Sequence, residues 1–185
     1  MQRVLFGLLT IGLPILSLQG APILQLNPSG GLIAGSPGAT IGWGFTLTNS
    51  SDYLVVTGSS FTPPSLYGVY QDYIGTYNLL VVGPSPESPV VSQSFSSTFL
   101  SGVGAFTINS TAPFGAAVTG DLVVHYSLFS QDPNTPNFDP ITSLLVTDAS
   151  ISQPTAVDVV PEPCSLFLLL TAASVTAASK AKKRT

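Results

Sequence analysis

The chain has 185 residues, 44% of them hydrophobic and only 8% charged, against roughly 25% charged in an ordinary soluble domain. Its basic residues are Arg3, Lys180, Lys182, Lys183 and Arg184, while the acidic ones run from Asp52 to Glu162, so the net charge of −4 averages two basic ends and a purely acidic middle. A middle without Lys or Arg cannot neutralise phosphates, which excludes nucleic-acid partners, and a single cysteine, Cys164, excludes an internal disulfide.

Met1 to Ala21 sets Arg3 ahead of an apolar run from Val4 to Leu18 and small residues at Gly20 and Ala21. This is the layout of a secretory signal peptide, with its short apolar helix. The run is broken by Pro14 and falls short of the roughly 20 residues that span a bilayer. Residues 1–20 are therefore expected to be removed, with a cut near Gly20, and residues 21–158 to form one exported domain.

From Asn27 to Gly44 the chain is rich in Gly and Pro. A phosphate cradle would need a Lys and a helix start after the glycines. Neither follows, so a flexible lead-in with turns is expected. Alternation then begins: Trp43, Phe45 and Leu47 share one face and Gly44, Thr46 and Thr48 the other, as a half-buried strand requires. Asn49 to Asp52 supply turn chemistry and Tyr53 to Phe61 resume with β-branched residues, which together read as a hairpin. Further strands are expected at Asn78 to Val82, Val90 to Leu100, Ala105 to Asn109, Ala117 to Ser130 and Ser143 to Ile151. Short strands, frequent turns and no amphipathic helix predict an all-β fold, an antiparallel β-sandwich of immunoglobulin-like or jelly-roll-like type. Its surface is wetted by Ser and Thr hydroxyls in place of charges.

Three features carry candidate chemistry. Tyr67, Tyr70, Tyr73 and Tyr77, spaced by three, three and four, fit one face of a short helix or a loop surface on which sugars stack, because tyrosine joins a flat apolar ring to a polar tip. Packing of that loop over the sheets is the alternative. Asp132, Asn134, Asn137 and Asp139 gather oxygen atoms in one loop, as Ca²⁺ requires, although Pro133, Pro136 and Pro140 beside them equally describe a rigid turn. His125, the single histidine, projects on the opposite face from Leu122, Val124, Tyr126 and Leu128. Asp121 lies about 13 Å from it along an extended strand, too far for a direct pair. With no paired carboxylates and no Arg to orient a substrate, a non-enzymatic protein without a cofactor is expected.

At the C-terminus, Pro161-Glu162-Pro163 precedes an apolar stretch from Cys164 to about Ser179 and then the cluster Lys180, Lys182, Lys183 and Arg184. The prolines end any preceding strand. The apolar stretch reads as a transmembrane helix and the cluster as a basic stop that stays cytoplasmic. Sixteen helical residues cover about 24 Å, somewhat less than a hydrocarbon core of about 30 Å, and lysine snorkelling makes up part of the difference.

The order of motif, helix and basic tail over residues 159–185 resembles the PEP-CTERM sorting signal of Gram-negative bacteria. Thr171, Ser174, Thr176 and Ser179 make this helix less apolar than the usual pattern. The resemblance implies that exosortase, a membrane enzyme, recognises Pro161, Glu162 and Pro163, releases the domain from its plasma-membrane helix and passes it to the cell surface or extracellular matrix. It further implies an association with exopolysaccharide and biofilm. A carbohydrate-binding or adhesive module is the alternative, and a secreted hydrolase a third.

Overall fold

The computed structural model describes residues 21–162 except 78, 85 and 88. The signal segment, Pro163, the apolar stretch from Cys164 and the basic cluster at 180–184 lie outside the described residues. Among the described residues every regular element is a strand: β1 (Ile23–Asn27), β2 (Leu32–Gly35), β3 (Thr40–Thr48), β4 (Tyr53–Thr62), β5 (Gly68–Asp72), β6 (Val81–Val82), β7 (Val90–Gln93), β8 (Gly104–Ile108), β9 (Ala117–Phe129) and β10 (Leu144–Val159). No helix among them is long and apolar enough to cross a membrane.

The strands form two sheets. One has the order β1-β3-β8-β5, with β7 also pairing β3; the other has the order β2-β10-β9-β4-β6. Period-2 alternation decides which side chains face inward. In β3 it buries Trp43, Phe45 and Leu47, and in β9 it buries Leu122, Val124, Tyr126 and Leu128, with Leu54, Val56 and Phe61 of β4 beside them. These inner faces share one hydrophobic core with Phe106, Ile108, Val157 and Val159. Aromatic contacts cross between the sheets: the Phe61 ring lies 6.2 Å from Trp43 and 5.6 Å edge-on from Phe106. The indole N–H of Trp43 donates to the Gly31 carbonyl at 2.7 Å. That satisfies the polar handle of a fully buried Trp and ties the turn between β1 and β2 to the core.

The strands expected at Trp43 to Asn49, Tyr53 to Phe61, Ala105 to Asn109 and Ala117 to Ser130 form as β3, β4, β8 and β9, and the expectations are corrected elsewhere. The lead-in at 27–44 is ordered: β2 lies inside it, β1 just before it, and β3 begins at Thr40. The reason is that Leu24, Leu26 and Ile33 have a face to bury, while Gly31 at φ 69° and Gly38 at φ 85° turn the chain between short runs. The expected hairpin of 43–49 with 53–61 does not form, because β3 and β4 belong to different sheets. Asn49 makes that crossing, donating its backbone N–H to Pro89 O at 2.8 Å and its side-chain amide to Asp52 O at 2.8 Å. The strand expected from Val90 to Leu100 stops at Gln93, where Phe95 leaves to stack on Tyr73 at 6.2 Å. The strand expected to end at Ile151 continues to Val159, since Thr155, Val157 and Val159 are buried. Nor is the pairing wholly antiparallel, for β10 and β2 run parallel.

Candidate functional site

The site grows from an asymmetry in the sheets. β6 pairs β4 only at Leu54 and Val55, so among the described residues the second half of β4 has no strand neighbour on that side. β5 is an edge of the other sheet. Between these edges lies a groove of about 480 Å³ with walls that include Phe61, Pro64, Val69 and Phe106 and polar groups from Ser59, Ser60, Ser65, Tyr70 and Asp72. That volume falls within the roughly 300–1,000 Å³ of small-ligand sites.

A register shift in β4 between Val56 and Gly58 sets up a hydrogen-bonded chain at one end of the groove. Ser59 Oγ donates to Asp72 Oδ1 at 2.5 Å and lies 2.6 Å from the Tyr70 hydroxyl. A carboxylate can only accept, so the Ser59 proton points to it and Tyr70 donates to Ser59. Val103 O lies 3.1 Å from the same serine oxygen. Asp72 also accepts from Gly75 N at 3.2 Å and from Thr76 Oγ1 at 3.1 Å. Burial above all, and the Asp72 charge in addition, push the Tyr70 phenol well above its ordinary value, against the smaller stabilisation that the Ser59 hydroxyl would give a phenolate by turning its proton toward it.

The four tyrosines do not share a face. Tyr67 and Tyr77 are exposed at opposite ends of β5, whereas Tyr73 is buried and Tyr70 is largely buried. Tyr73 sits between Phe95 and Tyr77, the latter edge-on at 5.9 Å, and Gln71 donates to the Tyr77 hydroxyl at 3.0 Å. The segment is a strand and a following turn, because Tyr70 and Asp72 alternate with exposed Val69 and Gln71. That period-2 signal was present in the sequence, hidden behind the spacing of the tyrosines. Ser59 and Asp72 were missed with it.

In the loop from β9 to β10, Asp132 Oδ1 accepts from the backbone N–H and the side-chain amide of Asn134 at 2.9 and 3.1 Å. Asp139 accepts from Ile141 N and from Thr142 Oγ1, each at 2.9 Å. Those bonds hold the Asp139 carboxyl below the usual carboxylate range, the Ile141 N–H contributing most. Asn137 is exposed. The two aspartates thus each cap their own turn, the geometry of the rigid-turn reading. Among the described residues no group of three or more His, Cys, Asp or Glu side chains could hold a metal ion.

His125 projects outward from β9, and its Nε2 lies 3.3 Å from Ser60 Oγ on β4. No carboxylate is hydrogen-bonded to the imidazole among the described residues.

At the far end of β10 the described chain ends two residues past Val160. Val160 donates its N–H to Gly35 O at 2.9 Å, and Pro161 and Glu162 directly beyond it are exposed. Glu162 borders a second groove of about 430 Å³ formed by Pro37 and residues 110–114.

No family model matches the chain, and no curated protein is significantly similar to it. Among solved structures, the complex of CaDoc0917 with CaCohA2 at pH 5.5 is similar over 75% of this chain and 99% of that one, at 15% identity and a TM-score of 0.23. A likeness that weak defines neither the class of fold nor an activity.

Proposed function

We propose that this is an exported, non-catalytic surface or extracellular-matrix protein, a β-sandwich of immunoglobulin-like or jelly-roll-like type sorted through Pro161-Glu162-Pro163. In this reading residues 1–20 direct export, residues 164–179 hold the chain in the plasma membrane, and Lys180, Lys182, Lys183 and Arg184 stop it there. Exosortase then releases the domain toward exopolysaccharide or biofilm, and no cofactor is required. The observation that carries the reading is the position of the motif. Among the described residues the last buried side chain is Val159 and the last backbone hydrogen bond comes from Val160, and Pro161 and Glu162 directly beyond them are exposed, which suits a motif read by a processing enzyme. Replacing Pro161, Glu162 and Pro163 together by Ala is expected to trap the full-length chain in the membrane fraction of its own host. Unchanged release would overturn the reading.

A second reading, a carbohydrate-binding or adhesive module, is favoured by the groove beside Tyr70. Serine hydroxyls and apolar ring edges suit a neutral polyhydroxylated ligand, and with no Lys or Arg between Arg3 and Lys180 an anionic one would be repelled. Retention on neutral polysaccharide, weakened by Ser60→Ala and Val69→Asp, is the expected behaviour; passage without retention would remove this reading.

A further inference from the structure

Four features meet at the end of the fold where β10 exits. Leu66 and Phe114 are 88% and 63% exposed, Tyr67 and Val160 are each more than a third exposed, and all four are apolar or aromatic. They belong to one end because Asn109 donates its backbone N–H to Tyr67 O and its side-chain amide to Leu66 O. Ala112 N closes a turn onto Asn109 O, and Gly115 N donates to Val159 O. Leu66 and Tyr67 also border a shallow groove with Ala117, the first residue of β9.

Chain length decides what this end can reach. Val160 is fixed to β2 through Gly35, and the apolar stretch begins at Cys164, four residues later. Four residues span at most about 14 Å, while the headgroup layer of one leaflet is about 5–8 Å thick. A domain so tethered holds Val160, and with it this end, near the level of the headgroups. β9 has 13 residues, so its opposite end stands about 40 Å away.

We propose that, before release, the end bearing Leu66, Tyr67, Phe114 and Val160 seats in the lipid headgroup interface. This rests on the reading of residues 164–179 as a membrane helix. Tyrosine and phenylalanine at that level are the side chains that favour a membrane–water boundary. No Lys or Arg lies between Arg3 and Lys180, so attraction to anionic lipid plays no part and the contact is made with zwitterionic phosphatidylcholine-type surfaces by apolar insertion.

The test uses the full-length exported chain in phosphatidylcholine vesicles. Trp43 is the single tryptophan and is fully buried, so it reports an intact fold and is shielded from lipid. Phe114→Trp adds a reporter at the proposed interface. Ile141→Trp adds one at a residue 85% exposed in the loop at the far end of β9, so exposure alone is controlled. With lipids brominated near the headgroup, the added emission of Phe114→Trp is expected to fall relative to unbrominated vesicles, and that of Ile141→Trp to stay unchanged. A vesicle-bound chain with unquenched Phe114→Trp, or with both reporters quenched alike, overturns the inference and leaves the anchoring intact. A chain that does not float with vesicles overturns the anchoring, and the inference with it.

Discussion

The hydrogen-bonded chain from Tyr70 through Ser59 to Asp72 makes unequal demands on its members. Tyr70→Phe removes one donor, but Ser59 keeps Asp72 and Val103 O within reach, so no buried group is orphaned. The expected loss is about 1 kcal/mol, that of one net hydrogen bond. Asp72→Ala removes the acceptor for Ser59, Gly75 N and Thr76 Oγ1 together. Bonds to a charged group contribute about 1.5–3 kcal/mol each, and partial exposure at Thr76 reduces the sum, so about 3 kcal/mol is expected. Urea unfolding followed by Trp43 emission would resolve that difference. A second measurement separates the two in kind. Because the Tyr70 phenol is raised in the fold, its stabilising contribution is present in full below the unfolded tyrosine pKa near 10 and is lost as pH rises toward the folded value. Each such proton steepens the alkaline fall in stability by about 1.4 kcal/mol per pH unit. Tyr70→Phe should shed that increment while Asp72→Ala, which frees the phenol from a neighbouring charge, should shed only part of it. Equal losses at neutral pH, or an alkaline slope unchanged in Tyr70→Phe, would refute the assignment.

Asp139 has the opposite sign. Its carboxyl is lowered, so its contribution is present above the ordinary carboxylate pKa and is lost as pH falls through the folded value; Asp139→Asn should flatten the acid limb of a stability curve. Calcium is expected to leave the melting temperature unchanged, since the Asp132 and Asp139 oxygens already serve turn donors, and a rise reversed by chelator would refute that expectation and point to a calcium site. Gly68→Ala would place a methyl 2.2 Å from the Phe106 ring and 2.6 Å from Thr107 O, an overlap expected to lower stability by about 1–3 kcal/mol in urea unfolding. Added sodium chloride should raise the melting temperature slightly, because it screens repulsion among carboxylates and weakens no pair to Lys or Arg.

What could be read in advance was what period-2 alternation writes plainly. Trp43, Phe45 and Leu47, and Leu122 to Leu128, are long runs with large apolar residues on one face, and they formed β3 and β9 with the expected faces inward. Short strands stayed hidden because the same residues serve other patterns. Leu24 and Leu26 are only two apolar positions before a Pro and two glycines, and Tyr70 and Asp72 were masked by tyrosine spacing that fits a helix equally well. Pairing was less legible still. Asn49 to Asp52 has good turn chemistry for a hairpin, yet each flanking strand buries one apolar face, and a crossing between sheets buries both against one another. The groove was not legible at all, because it is made by what β6 fails to cover, a consequence of long-range pairing that no local pattern encodes.

The unusual composition and the polar site have one cause. With no Lys or Arg from residue 21 to residue 162, a carboxylate in this fold cannot be balanced by either cation. Hydroxyls and backbone amides take their place: Asp72 is held by Ser59, Gly75 and Thr76, Asp139 by Ile141 and Thr142, and Glu87 by the Tyr53 hydroxyl at 2.7 Å. Such donors stabilise negative charge through short directional bonds rather than through a long-range field. The abundance of Ser and Thr is therefore structural as well as solvating, and Ser59, one of the hydroxyls that satisfy Asp72, lines the groove between the two open strand edges. A surface built this way repels polyanions at a distance and exerts no long-range attraction on a neutral molecule.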